Sequence, residues 1–324
     1  MPDFVMCARN VSGKTFDAEP GKTRFLTVPD GTLPSPAHEE TNVDTWVRQV
    51  LTEGTRKRVG DILIFIHGYN NGPKEIMKRH RRLKADLEAV AFKCAVVSFD
   101  WPCEATALNY LEDRHDAKQT AMQLVSDCIA LLAKKQTPDC KINVHLLGHS
   151  TGAYVIREAF DDADDAALKQ ASWVVSQIIF IGGDVSSGSL TDDDSSSNSL
   201  FRHCTRLTNY SNLHDSVLTL SNAKRLGMAP RVGRVGLPDN APARAVNVDC
   251  SKYFAQLDSD PEIKSADQAE EVGTFCHSWH IGNRLFIRDL AITLRGELDR
   301  TVIPTRELDE GVLHLKHPAS AVEM

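Results

Sequence analysis

The chain lacks several features, and each absence removes a class of protein. Its 8 cysteines (Cys7, Cys94, Cys103, Cys128, Cys140, Cys204, Cys250 and Cys276) include no Cys-x-x-Cys pair. That argues against a zinc ribbon or a dithiol redox centre. Cys94 and Cys250 fall in apolar strand-like runs and Cys128 in a helical one, so reduced, packed thiols are expected. No stretch approaches the roughly 18 apolar residues that a membrane span requires. Met1-Pro2-Asp3-Phe4-Val5 has neither the basic start nor the apolar core of a secretory signal, so the expected location is cytoplasmic. No His-Glu-x-x-His occurs, and His277-x-x-His280 with Asp184 is too thin a ligand set for a metal; neither metal nor cofactor is expected.

Positive charge is also in short supply. Lys and Arg total 37 against 44 Asp and Glu, a net charge of -7, which disfavours a nucleic-acid partner. The local exception is Lys78-Arg79-His80-Arg81-Arg82-Leu83-Lys84. It rides on a helical pattern whose apolar side is Ile76, Met77, Leu83, Leu87 and Val90, so a solvated helix face is expected. A hydrophobic content of 42% leaves ample material for a core.

What is present is a pattern of alternating elements. Residues 1–60 read as edge strands and an N-terminal extension, with short strands at Phe4–Ala8 and Arg24–Val28. Ile62–Ile66 and Cys94–Phe99 are continuous apolar runs, as buried parallel strands are. Helical patterns cover Pro73–Ala91, with proline in the first turn, and Ala117–Leu132. Strands follow at Ile142–Leu147, Val174–Ile181 and Arg206–Tyr210. A helix is expected from Asp215 to about Lys224, a last strand at Ala243–Val248, and a closing helix from about His277 to Leu298. Residues 189–199 are polar and acidic and read as a loop. This order predicts one α/β domain over 1–324, a doubly wound, mainly parallel sheet flanked by helices. The Pro/Gly-broken stretches within 226–276 are expected to form insertions at a pocket mouth. Their acidic part, Asp258 to Glu271, would disfavour anionic substrates.

The most informative segment is Gly148-His149-Ser150-Thr151-Gly152, between the apolar run Ile142–Leu147 and the helical run Ala153–Phe160. A Gly-x-Ser-x-Gly in strand–turn–helix context holds a serine on a strained turn at a helix N-terminus. A serine hydroxyl needs a base, an orienter for that base, and donors for the oxyanion. His277 is the candidate base, delivered after the sheet, with His280 its rival; His145 lies inside a strand and His149 points away from the serine. Asp215 is the candidate acid, although an aspartate at a helix start is also a common cap; Asp184 and Asp249 are alternatives. Thr151 is one candidate oxyanion donor through its backbone N–H. Tyr69, in His67-Gly68-Tyr69-Asn70 after the first central strand, is the second. His67, Gly68, Trp101 and His149 are candidate substrate-contacting residues, and Trp101 and Tyr110 read as pocket wall or core.

His67-Gly68-Tyr69-Asn70, Ser98-Phe99-Asp100-Trp101-Pro102, Tyr110 with Asp113, Gly148–Gly152 and His277-Ser278-Trp279 together resemble the α/β-hydrolase superfamily, in a bacterial branch of uncharacterised serine hydrolases and esterases. The resemblance implies an α/β-hydrolase fold and a Ser150–Asp215–His277 triad. It favours Asp215 over Asp184, because that branch carries an aspartate before an apolar pair, here Asp215-Ser216-Val217-Leu218. Asp100 departs from it, standing where serine is more usual, as does Thr151, where methionine is frequent. The expected activity is hydrolysis of a small-molecule carboxylic ester. Acyl transfer, amide hydrolysis and lipid hydrolysis on the same residues remain open, as does a noncatalytic scaffold for a small molecule or protein.

Overall fold

The computed structural model describes residues 1–56, 59–103, 110–129, 131, 141–163, 174–223 and 229–318. Among the described residues eleven strands form one sheet: β1 Asp3–Ser12, β2 Thr15–Val28, β3 Thr55–Arg56, β4 Val59–Ile66, β5 Ala95–Asp100, β6 Lys141–His149, β7 Val175–Ile181, β8 Cys204–Ser211, β9 Ala245–Asp249, β10 Arg306–Asp309 and β11 Val312–Leu315. Their order is β10-β11-β9-β8-β7-β6-β4-β5-β1-β2, with β3 paired to β4. The run from β11 to β1 is parallel throughout; only β2, β3 and β10 are antiparallel.

The α-helices among the described residues are α1 Val43–Gly54, α2 Pro73–Ala89, α3 Tyr110–Gln123, α4 Thr151–Ala163, α5 Ser195–Arg202, α6 Ser216–Ala223, α7 Val232–Val235, α8 Ser251–Ser259, α9 Pro261–Asp267, α10 Phe275–Ser278 and α11 Arg284–Arg295. The central strands show why they are needed. Ile62, Ile64 and Ile66 of β4 join one core with Trp46, Val97 and Phe180. Leu63 and Phe65 join the opposite core with Leu87, Ile181 and Trp279. Successive side chains alternate faces, so an unbroken apolar run demands helices on both sides. The fold is that of an α/β hydrolase.

Several expectations are corrected. β9 is not the last strand, because β11 pairs with it in parallel and β10 extends the edge. The closing helix is broken: α10 ends at Ser278, and α11 begins only after Asn283, whose side chain accepts the Phe286 N–H as a cap. Between them Trp279 and Ile281 are buried in the core, a demand that a continuous amphipathic helix would not meet. The polar 189–199 stretch holds the start of α5, capped by Asp194 and anchored by buried Leu200 and Phe201. The basic run on α2 is no uniform solvated face. Arg79 and His80 are buried, while Lys78 and Arg82 meet Glu270 and Lys84 meets Glu53.

Part of the acidic segment is partnered within the chain, while Asp258, Glu262, Glu270 and Glu271 stay exposed. Asp260 caps α9, Lys264 pairs with Glu271, and Asp267 accepts from Tyr253 and His317. Seven cysteines are free thiols, all buried except the intermediate Cys276. Cys140, Leu132, Lys224 and Leu226 lie outside the described residues, as do the side chains of Tyr110 and Asp113. Among the described residues no helix is long and apolar enough to cross a membrane.

Candidate functional site

The site forms where β6 ends and α4 begins. Ser150 has φ +55, a left-handed conformation that costs a residue with a Cβ roughly 1 kcal/mol. Neighbouring strands hold it there. Its N–H donates to Ile181 O at the end of β7 (3.1 Å), and its carbonyl accepts from Ala153 and Asp184 N–H (3.1 and 3.0 Å). Gly152 lets α4 start against β4; a Cβ there would lie 2.1 Å from Ile66 O. Ser150 is 9% exposed.

His277 arrives on α10 and Asp215 in the loop between β8 and α6. His277 Nδ1 lies 2.6 Å from Asp215 Oδ2. A carboxylate oxygen only accepts, so Nδ1 carries the hydrogen and Nε2 is left with the lone pair. The other oxygen, Oδ1, accepts the Leu218 N–H at 3.1 Å. Capping and histidine-holding therefore coexist on one aspartate. The His277 ring sits over Gly182, where a Cβ would meet Cε1 at 3.0 Å. Gly182 follows Ile181, the residue that holds the Ser150 amide, so histidine and serine converge on the end of β7.

The alternative acids are engaged elsewhere. Asp184 faces Arg231 Nε at 3.2 Å. Asp249 accepts from the backbone N–H and hydroxyl of Ser251. His280 lies beyond the end of α10, stacked on Trp279 at 4.1 Å and buried at 1% exposure. Its burial and the nearby His277 hold it well below an ordinary imidazole pKa.

His149 packs against His277 with ring centroids 4.8 Å apart. Arg79 Nη1 lies 3.3 Å from His149 Nδ1. A guanidinium only donates, so Nδ1 accepts and Nε2 carries the hydrogen, which reaches His277 O (3.3 Å) and Ser278 Oγ (3.4 Å). Burial, then the Arg79 charge, keep His149 well below the usual imidazole range and therefore neutral. Burial also lowers Arg79, to about 10. This link from α2 to the histidine turn was invisible in the sequence, where Arg79 reads as one more surface cation.

The loop after β4 lies against the serine: a Cβ on Gly68 would sit 2.7 Å from Ser150 Cβ. His67 and Trp101 are fully buried and stack at 5.4 Å with 8° between their planes. Trp101 Nε1 donates to His67 O at 2.8 Å. Both side chains are engaged with the loop itself. Asn71 and Asn212 were not anticipated. Asn71 Nδ2 bonds Gly68 O and Tyr69 O, and Asn212 Nδ2 donates to Cys276 O, tying the Asp215 loop to α10. Among the described residues no group of three or more His, Cys, Asp or Glu is arranged to hold a metal.

A family model described as an alpha/beta hydrolase of unknown function (DUF900) matches residues 39–254. No curated protein matches the chain. Among solved structures, a dienelactone hydrolase from Anabaena variabilis is 16% identical, covering 82% of this chain and 93% of its own, at a TM-score of 0.35. A dienelactone hydrolase-like promiscuous phosphotriesterase from metagenomic libraries is 14% identical, covering 75% and 89%, also at 0.35.

Proposed function

The chain belongs to the alpha/beta hydrolases of unknown function whose model spans residues 39–254, and from that premise we propose a serine hydrolase that cleaves a small-molecule carboxylic ester. One observation carries the reading. His277, held by Asp215 at 2.6 Å, packs over Gly182 at the end of β7, where Ile181 O also holds the amide of Ser150, a serine at φ +55 on a strand–helix turn.

In this reading His277 Nε2 takes the Ser150 proton as Oγ attacks the ester carbonyl. The tetrahedral oxyanion is bound by the Thr151 and Tyr69 N–H groups, and the N-terminus of α4 adds favourable dipole. His277 then protonates the departing alkoxide, leaving an acyl-serine and an alcohol. Water, deprotonated by His277, attacks the acyl-serine and releases the carboxylic acid and free Ser150. Asp215 keeps the hydrogen on Nδ1 throughout and stabilises the imidazolium.

Labelling with a fluorophosphonate tests this without knowledge of the substrate. The expected result is one adduct on the native chain and none on Ser150→Ala. An unlabelled, folded native chain would overturn the proposal.

A further inference from the structure

The oxyanion loop is gripped from behind by groups that no step above uses. Every carbonyl from His67 to Tyr69, and that of Asn71, accepts from a buried side chain. His67 O accepts from Trp101 Nε1 (2.8 Å). Gly68 O accepts from Asn71 Nδ2 (2.7 Å) and His67 Nδ1 (2.8 Å). Tyr69 O accepts from Asn71 Nδ2 (2.8 Å). Asn71 O accepts from Arg9 Nη2 (3.2 Å) and Cys103 Sγ (3.4 Å).

Arg9 comes from β1, two strands away from β4 in the sheet. Its Nε pairs with Asp100 Oδ1 at 2.6 Å, and His67 Nε2 approaches the same oxygen at 3.4 Å. Arg9 is 3% exposed and Asp100 fully buried. Burial alone would raise the Asp100 pKa, yet Arg9 and His67 together hold it low. The pair is thus a fixed charged post at the C-terminal end of β5, with the loop tied to it.

A trans peptide sets its C=O and N–H in opposite directions. Clamping Gly68 O from Asn71 and His67 therefore turns the Tyr69 N–H away from those donors. Gly68 itself abuts Ser150. We propose that Asn71, Arg9 and Asp100 are positioning residues for the oxyanion donor: Asn71 sets the tilt of the Gly68–Tyr69 peptide, and the Arg9–Asp100 pair anchors Asn71 to the sheet. This rests on the serine-hydrolase reading. None of the three touches substrate; they act through a backbone amide that must be aimed before the reaction starts.

The test compares Asn71→Ala, Asn71→Asp and Arg9→Lys with the native chain. The readouts are the rate of fluorophosphonate labelling and the kcat and KM for p-nitrophenyl acetate. Asn71→Asp keeps the side-chain shape but loses both donors, so it separates hydrogen bonding from space filling. Both Asn71 variants should label and turn over about a hundredfold more slowly, with KM changed by less than about threefold. Arg9→Lys keeps the charge beside Asp100 but loses the forked contact to Asn71 O, and should fall between. If Asn71→Ala does not fold, Asn71→Asp and Arg9→Lys carry the test. A native chain that labels, with Asn71→Asp labelling equally fast, overturns the positioning role alone. A native chain that never labels overturns the hydrolase reading and this proposal together.

Discussion

Asp215 divides its two carboxylate oxygens between two tasks: Oδ2 holds His277 Nδ1 at 2.6 Å, and Oδ1 caps α6 through the Leu218 N–H. Substitutions can separate the two. Asparagine caps a helix about as well as aspartate but cannot hold the histidine as a carboxylate does. Asp215→Asn should therefore lower kcat by about three to four orders of magnitude while stability stays within about 0.5 kcal/mol. Steady-state kinetics and urea denaturation on the same preparation check both halves.

The opposite pattern is expected at Asp184, which faces Arg231 inside the protein. Asp184→Asn should cost about 1–3 kcal/mol of stability yet leave Ser150 labelling at the native rate. If Asp184→Asn proves the more damaging to labelling, the acid assignment is wrong.

Ser150 holds a left-handed backbone at φ +55. Glycine adopts φ +55 freely, whereas alanine suffers the same clash as serine. Ser150→Gly should be more stable than Ser150→Ala by about 1 kcal/mol. Equal denaturation midpoints would show that the elbow stores no backbone strain.

Gly68→Ala would place a methyl 2.7 Å from Ser150 Cβ and 3.0 Å from His149 O. One of the two loops must shift. Labelling should drop by at least about a hundredfold, with the chain still folded by near-ultraviolet circular dichroism. Labelling at the native rate would mean that the two loops do not meet in solution.

Buried histidines set the acid response. His80, His149 and His280 have pKa values lowered by burial. Below their ordinary value of 6.5 the unfolded chain takes up protons that the folded one refuses, so stability falls with pH from 6.5 downward. Each such group contributes a slope approaching about 1.4 kcal/mol per pH unit. His67 is raised by Asp100 and Cys103 against its burial and works in the opposite direction: its stabilisation is present below 6.5 and lost as pH rises through its folded value. The two windows do not overlap, so below 6.5 the three lowered groups decide the slope. Denaturation midpoints measured from pH 6.5 to 5 should decline, less steeply for His149→Gln; an unchanged slope in that variant would refute the assignment to His149.

Much of this was legible from residues alone because it is local. An unbroken apolar run such as Ile62–Ile66 requires cover on both faces wherever it lies. Gly148–Gly152 between a strand and a helix is a short-range pattern that only a tight turn accommodates. The order of serine, aspartate and histidine along the chain was readable for the same reason. The break between α10 and α11 was not, since it depends on where Trp279 and Ile281 find a core. Nor were β10 and β11, four-residue strands of which β11 joins the edge of β9 and β10 pairs with β11.

The sequence by itself determined the alternation of strands and helices, the two-faced core, the elbow at Ser150 and the candidates around it, all of which follow from periodicity and turn chemistry within a few residues. Tertiary structure alone decided the pairing. It set Asp215 rather than Asp184 against His277, across 62 residues of chain. It brought Arg79 to His149 and Arg9 to Asp100 across 70 and 91 residues. Partner choice between buried charges depends on which strand ends the sheet brings together and how far each charge is desolvated, and neither quantity belongs to any local stretch of sequence.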